Sequence, residues 1–486
     1  MTTTIQYILL IFLLSLAAPA TPAAETPREG AGKIIRLNEI EVLDPEAAQT
    51  DAEESLSGIL NEIKILDLKT ARQIALSANP SLAAARDRVV QASERVMQAR
   101  SAYFPKIDAG ASGARIWRSD TQLAALGDPD DPEDTFTADL KATWTLFDGF
   151  ARKFRNLSAR YGEQESREAD TDARRLLLAA VAAGYYNGQL AREDIAIAKA
   201  DETFNMRQAH EAKAREAAGT GSLSDVLNFK VQVNSARTRL LLAQQEYEAA
   251  MIGLAGLLGI PDSRFPGHIT LAELSDETPE EMTLPDTENL IRYARTHRPD
   301  VRQDEYALRR AASDVGEARS GFYPTVRLAG SVDGERTDNM GFDGDDIGGA
   351  LTMTFDFNLF EGGYTRARVR EALARKSETQ NTLKDTRIAV TAQVRDAAEV
   401  LKLARDQLVL QRASVKLVRQ NRDLVEKEYQ AGQASLVRLN EAQRDLTQTR
   451  SRLVLALVSL RRAWENLRAA TGEILTDVEN ISERKS

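Results

Sequence analysis

The chain has 486 residues, a formal net charge of −10 and no cysteine. The acidic balance disfavours a protein built to grip nucleic-acid phosphates. The missing thiols exclude disulfides, thiolate metal sites, a cysteine nucleophile and a lipid-modified N-terminal cysteine.

In chain order, Tyr7 to Ala18 form a short apolar run, too short to span a bilayer as a helix but suited to the core of a secretory signal. Ala18-Pro19-Ala20 offers a small-x-small cleavage site and Ala24 a second, although Met1 to Gln6 carries no Lys or Arg. Residues 1–24 are therefore expected to be a signal peptide, and the Glu-, Pro- and Ala-rich residues 25–63 an extended leader. No later stretch approaches 18 uninterrupted apolar residues, so any membrane passage must use strands.

The remainder is a duplication. Asn79-Pro80 and the helix end Ala99-Arg100-Ser101-Ala102-Tyr103-Phe104-Pro105 recur about 219 residues later (299 − 80), as Arg298-Pro299 and Ala318-Arg319-Ser320-Gly321-Phe322-Tyr323-Pro324. Leu146-Phe147-Asp148-Gly149 recurs as Leu359-Phe360-Glu361-Gly362, now 213 residues on (362 − 149), so the second copy has the shorter hairpin loop. The spacing predicts two structural repeats, 64–260 and 299–472, joined by an irregular belt at 261–298 that carries Pro261, Pro266, Pro279 and Pro285. A loose tail, 473–486, is expected to follow. Each repeat reads as helix, β-hairpin, very long helix, tight Gly turn and return helix.

In the first repeat the opening helix starts near Pro80, and the hairpin covers about 106–147. Phe136, Ala138, Leu140, Ala142, Trp144 and Leu146 alternate there with Thr137, Asp139, Lys141, Thr143 and Thr145. Such a run fits a tilted strand crossing a bilayer, with Leu140 and Trp144 toward lipid and Asp139 and Lys141 toward a lumen. The long helix should run from about Gly149 to Ala218, roughly 70 residues or about 105 Å at 1.5 Å per residue. Gly219-Thr220-Gly221 breaks it, and Ser222 caps the return helix. There Val226, Phe229, Val233, Ala236, Leu240, Ala243, Tyr247, Ala250, Leu254 and Leu257 keep alternate spacings of three and four, a coiled-coil seam.

The second repeat places its hairpin at about 325–360, with Met353 and Phe355 toward lipid and Asp356 and Asn358 toward the lumen. Its long helix carries the seam Val390, Val394, Ala397, Leu401, Ala404, Leu408, Gln411, Val415, Val418, Arg422, Val425 and Tyr429. Gly432-Gln433-Ala434-Ser435-Leu436 forms the second turn, and the return-helix seam reappears from Leu439 to Ala470. Four strands are too few to close a barrel around a passage, so several chains must contribute, and twelve strands from three chains is the economical solution.

The pieces Leu66-Asp67-Leu68, Ala75-Leu76-Ser77-Ala78-Asn79-Pro80, the Ala-Arg-Ser-aromatic-Pro helix ends, Leu-Phe-Asp/Glu-Gly after each hairpin and the two Gly turns are weak singly. In this order and twice over, they resemble the TolC-type outer-membrane efflux family. The resemblance implies a mainly α protein with transmembrane β. Its fold would be a homotrimer with a twelve-stranded barrel in the outer membrane and a periplasmic helical coiled-coil tunnel. It also implies export of cargo with a periplasmic adaptor and an inner-membrane ABC or other pump. By that resemblance Gly219, Thr220, Gly221, Ser222, Leu223, Gly432, Gln433, Ala434, Ser435 and Leu436 form an adaptor-docking tip. Asp423, Glu426 and Arg438 beside the second turn are candidates for a reversible gate there, although ordinary solvated coiled-coil charges are the favoured reading. Two departures from the multidrug members, the absent lipid-attachment cysteine and the joint Leu359-Phe360-Glu361-Gly362-Gly363, resemble the branch serving type I protein secretion. Drug or ion efflux is the alternative, and a non-transporting periplasmic coiled coil the rival of another class. No enzyme, cofactor or metal site is expected: His210, His268 and His297 are scattered, and Asp128, Asp130, Asp131, Asp343, Asp345 and Asp346 lack calcium-loop spacing.

Overall fold

The computed structural model describes residues 58, 60–126, 132–337 and 341–476. The expected signal peptide, most of the leader, Asp128, Asp130, Asp131 and the end of the tail lie outside the described residues. The first repeat comprises β1 (Ile65–Leu66), α1 (Leu68–Ala78), α2 (Pro80–Ser101), β2 (Lys106–Ile116), α3 (Asp120–Leu126), β3 (Glu133–Asp148), α4 (Ala151–Ala217) and α5 (Leu223–Leu258). The belt holds β4 (Thr270–Leu271) and α6 (Thr287–His297). The second repeat comprises α7 (Pro299–Arg319), β5 (Thr325–Thr337), β6 (Ile347–Asp356), α8 (Tyr364–Gln430) and α9 (Leu436–Thr471). Both long helices have 67 residues and both return helices 36. Each long helix is therefore about 100 Å long. The offset is 213 throughout these four helices (364 − 151 and 436 − 223).

Helix α1 was not anticipated. Asp67 caps it, accepting from the Thr70 N–H at 2.7 Å, and Asn79 both ends it and caps α2 through the N–H groups of Ser81 and Leu82. Pro80 then sits in the first turn, where its missing N–H costs nothing. Asn79-Pro80 marks the second of two consecutive helices, and the belt repeats the device with α6 before Pro299.

The helices pack as two layers in one order. Near the sheet, α4 lies between α2 and α7, and α8 packs on α7; beyond the belt, α4 lies between α5 and α9, and α8 packs on α9. Every seam residue named for α5, α8 and α9 is buried or half-buried. The tip end of the bundle has its own small core of Phe204, Ala212, Val226, Phe229, Val425, Leu439 and Ala442. Gly184 of α4 faces Leu254 and Leu257 of α5, whereas Gly188 serves the belt: a Cβ there would lie 2.6 Å from Leu271, so only glycine admits β4 so close. There β1 pairs in parallel with β4 over the two-residue register Ile65↔Thr270 and Leu66↔Leu271. A buried ion pair, Arg72 with Glu465, ties α1 of the first repeat to α9 of the second. Buried Arg298 joins Asp300, Gln393 and the Ala470 carbonyl. Two expected boundaries shift: Leu60 of the leader and Ile474 of the tail are both buried against helices.

The four long strands form one antiparallel sheet in the order β2-β3-β5-β6, the same order as the helices beneath. Strands β2 and β6 are its two edges. No helix of the described residues is long and apolar enough to cross a membrane.

Candidate functional site

The strand register sorts side chains by face, since residues directly opposite in a sheet point the same way. Trp144, Leu328 and Met353 form one row, and Phe147, Val326 and Phe355 the next. Leu140 sits with Ala109 and Val332 on the same face. Leu140, Trp144, Met353 and Phe355 are all exposed, Met353 and Phe355 by two thirds. On the opposite face Lys141, Asp356 and Asn358 line one hollow with Lys106, Thr143 and Arg327. Asp139 lies two residues from Lys141 on that face and covers Gly110, where a Cβ would approach its carboxylate to 2.5 Å. The expected alternation fails at one place. A register shift between Thr145 and Phe147 puts Phe147, not Leu146, in the apolar row. Arg152 explains how the shift is held, donating to the carbonyls of Thr145 (2.6 Å) and Leu146 (3.0 Å) and to Asp148 (3.0 Å). Asn358 lies past the end of β6, outside any strand, although it lines the hollow. Among the hairpin acids, Asp343 and Asp346 grip Arg336 at 2.8 and 2.9 Å.

The two tips are built alike. Gly219 (φ 74°) and Gly432 (φ 75°) stop the long helices in the left-handed region. The N–H groups of Thr220 and Gly221 return to the Arg215 carbonyl, and those of Gln433 and Ala434 to Glu428. Ser222 accepts from the Ser224 N–H at 3.1 Å and Ser435 from Arg438 at 3.3 Å. The two leucines differ: Leu223 is 59% exposed, whereas Leu436 is half-buried against the tip core beside Ala434.

Beside the second turn, the expected gate is rearranged. Glu426 reaches across to α4, taking donors from Arg207 and from Gln208 (3.3 Å), and also pairs with Arg422 of its own helix at 3.1 Å. Asp423 pairs only with its neighbour Arg422 (2.8 Å), and Arg438 approaches Glu428 at 3.2 Å, not Asp423 or Glu426. Of the three residues expected from sequence, Glu426 alone links the two repeats. Arg207 and Gln208 escaped notice because nothing in α4 marks which of its polar residues faces α8. Their signal is the 3.6-residue face shared with buried Phe204, over which Arg207 and Arg422 both stack, at 5.6 and 5.5 Å.

A family model described as outer membrane efflux protein matches residues 71–260 and 290–473, most of both repeats. The chain belongs to the outer membrane efflux protein family. Protein CyaE of Bordetella pertussis is 28% identical over 410 residues, 84% of each chain. The pyoverdine export outer membrane protein OpmQ of Pseudomonas aeruginosa is 26% identical over 387 residues, 78% of this chain and 79% of that one. The alkaline protease secretion protein AprF of the same organism is 25% identical over 330 residues, 66% of each. Among solved structures, CusC superposes with a TM-score of 0.71 at 20% identity, covering 84% of this chain and 93% of that one.

As an efflux-family member the chain is an outer-membrane channel component with a periplasmic extension, not an enzyme. The apolar row is exposed on one face of the sheet, and the hollow of Lys141 and Asp356 lies on the other. The periplasmic columns carry carboxyls held partly out of water. Burial pushes Glu165 and Glu168 above the usual carboxylate range, more strongly than Arg310 and Arg302 pull them down. Arg310 approaches Glu165 at 3.3 Å without hydrogen-bond geometry. Burial likewise pushes the Tyr185 hydroxyl up to about 12, as expected in the packed belt.

Proposed function

We propose that this channel is a homotrimer forming the outer-membrane exit of a type I protein secretion system, fed by an inner-membrane ABC pump and docked to a periplasmic adaptor. The observation that carries the trimer is the four-stranded sheet whose edges are open, and whose apolar face is exposed, among the described residues. A sheet so exposed is stable only when its edges are paired and its apolar face is in lipid, and three chains supply the twelve strands a passage needs. The same uncovered face weighs against a non-transporting coiled coil. Protein as cargo is supported by the missing lipid-attachment cysteine and by the Leu359-Phe360-Glu361-Gly362-Gly363 joint. It is also supported by the likeness to a protein whose name is alkaline protease secretion. Docking falls to the two turns, Gly219 to Leu223 and Gly432 to Leu436, with Leu223 the apolar side chain most open to a partner. Glu426 with Arg207 and Gln208 is the latch between columns there.

Deleting the gene and comparing the culture medium with drug and metal tolerance tests the reading. Loss of one or a few secreted proteins, with tolerance unchanged, supports it. Unchanged secretion with lowered tolerance replaces it with small-molecule or ion efflux, the reading favoured by the likeness to a pyoverdine export protein.

A further inference from the structure

Between α4, α8 and α9 lies a cavity of about 220 Å³. It sits about 18 Å from the tip, counted along α4 from Arg207 to Gly219 at 1.5 Å per residue. Its walls carry three guanidiniums, Arg207 of α4, Arg422 of α8 and Arg450 of α9, and a single carboxylate, Asp201. The Phe204 ring forms part of the same wall, with Arg207 and Arg422 stacked on it.

The charges on this wall are balanced except one. Asp201 is spoken for: Arg239 approaches it at 3.1 Å, Gln443 donates to it at 2.9 Å and Thr447 at 3.3 Å. Glu426 takes Arg207 and Arg422, and Asp423 takes Arg422 from its other nitrogen. Arg450 makes no hydrogen bond or ion pair among the described residues, although it is half-buried. Burial, then the charges of Arg419 and Arg422, push it below the usual guanidinium range, and Asp423 does not restore it. Arg422 offers a second opening. Its Nη1 and Nη2 face Glu426 and Asp423, while its Nε–H is buried without an acceptor. A half-buried cation without a counter-charge, beside a buried donor without an acceptor, is a costly arrangement. Water could satisfy the N–H but not the charge, whereas an oxyanion satisfies both.

We infer that this cavity is a binding site for a small free oxyanion of the phosphate or carboxylate class, held by Arg450 and the Arg422 Nε–H with Arg207 as the third charge. The planar guanidinium fork matches paired oxygens on such an ion. The bound ion ties α9 to α8 and leaves Glu426 on Arg422 Nη1 undisturbed, so it adds to the latch and favours the closed tip. That consequence rests on the latch proposed above; the site itself does not.

Isothermal titration of inorganic phosphate into the full-length protein in detergent tests the site, with ionic strength held constant by sodium chloride. Binding should saturate at one ion per chain, and sodium acetate, with a single charge, should bind more weakly and compete with phosphate. Arg450→Gln should weaken phosphate binding about tenfold or more. Arg444→Gln, which removes an exposed arginine of the same helix, should leave it unchanged. Arg450→Lys keeps the charge without the fork and should fall between. Heats that do not saturate, or equal affinity in wild type and Arg450→Gln, overturn the site. In chloride alone Arg450→Gln should melt no lower than wild type, because it removes an uncompensated charge. A lower melting temperature assigns Arg450 to the fold and also overturns the site. In planar bilayers at constant ionic strength, phosphate should lower the open fraction of wild type and not that of Arg450→Gln. Saturable binding without that effect overturns the closing role and leaves the site standing.

Discussion

Replacing Glu426 by Gln should loosen the tip by about tenfold. The carboxylate collects Arg207 and Gln208 from α4 and Arg422 from its own helix, and is itself only 16% exposed. Gln keeps the shape and one acceptor oxygen but removes the charge that faces two guanidiniums. Hydrogen bonds to charged groups contribute about 1.5–3 kcal/mol, and exposed pairs about 0–1 kcal/mol. Arg207 is 55% exposed, so its share belongs near the lower range. Arg422 lies on the same helix as Glu426 and its pair survives a parting of α4 from α8. The cross-column loss is then about 1–1.5 kcal/mol, or about tenfold in a closed-to-open equilibrium. Single-channel recording in planar bilayers reads it as a higher open fraction, with the wild-type difference shrinking as salt is raised. Arg438→Glu should change the open fraction little, because Arg438 meets only Glu428 across its own turn. An unchanged open fraction in Glu426→Gln together with a raised one in Arg438→Glu would refute the latch and reinstate the turn-side arginine.

Leu140→Arg should cost about 2–4 kcal/mol if its row faces the membrane midplane and should reduce heat-stable trimers on gels; Asp139→Arg should leave assembly intact and alter ion selectivity, and equal behaviour of the two would sink the face assignment. Leu223→Asp should abolish export while trimers remain in the outer membrane; the single variant is the informative one, because Leu436→Asp would also breach the tip core, and normal export would remove the docking role. Glu165→Gln should gain stability relative to wild type as pH rises from about 4 to 7. The Glu165 carboxyl is raised by burial, so wild type loses this group's contribution as pH climbs past its unfolded value toward its folded one, whereas Gln does not ionise. Thermal melts across that range that keep a constant difference would contradict it.

Periodicity made the architecture legible. The seven-residue frame of α5 and α9 and the two-residue frame of β3 and β6 each follow one apolar side, so the sequence carries them openly. What escaped lacks a period. Helix α1 is short and ends at the residue that caps the next helix, so Asn79-Pro80 hides the boundary. The shift beside Leu146 depends on Arg152 from the following helix reaching back to free carbonyls, a tertiary contact with no local mark. The partner of Glu426 is hidden for the same reason: Arg438 is near it in sequence, but Arg207 is near it in space. The exposed leucines of α8, Leu403, Leu410 and Leu417, were readable at their seven-residue spacing, yet they lie on a second face of a helix whose first face already gave a complete seam.

That second face also differs chemically from the matching face of α4, and the difference follows from how each contact is held. On α4 the polar residues Asn187, Asp194 and Asp201 meet Arg462, Ser451 and Gln443 across the internal contact. Their counterparts on α8 are Val400, Gln407 and Ser414, with no acid among them. Burying a carboxylate is costly unless its partners are perfect, and burial does push the Asp194 carboxyl above the usual range despite its Ser451 bond. Inside one chain that cost is tolerable, because the connecting backbone holds the two repeats together at high effective concentration. Between chains no backbone helps, and association must come from the area removed from water. Each fully covered leucine contributes about 1.5–3 kcal/mol, so in the trimer proposed above Leu403, Leu410 and Leu417 would add association energy that a row of buried aspartates would consume. Acids at these positions of α4 and none at the matching positions of α8 are therefore what a contact held within one chain and a contact formed between chains would each favour.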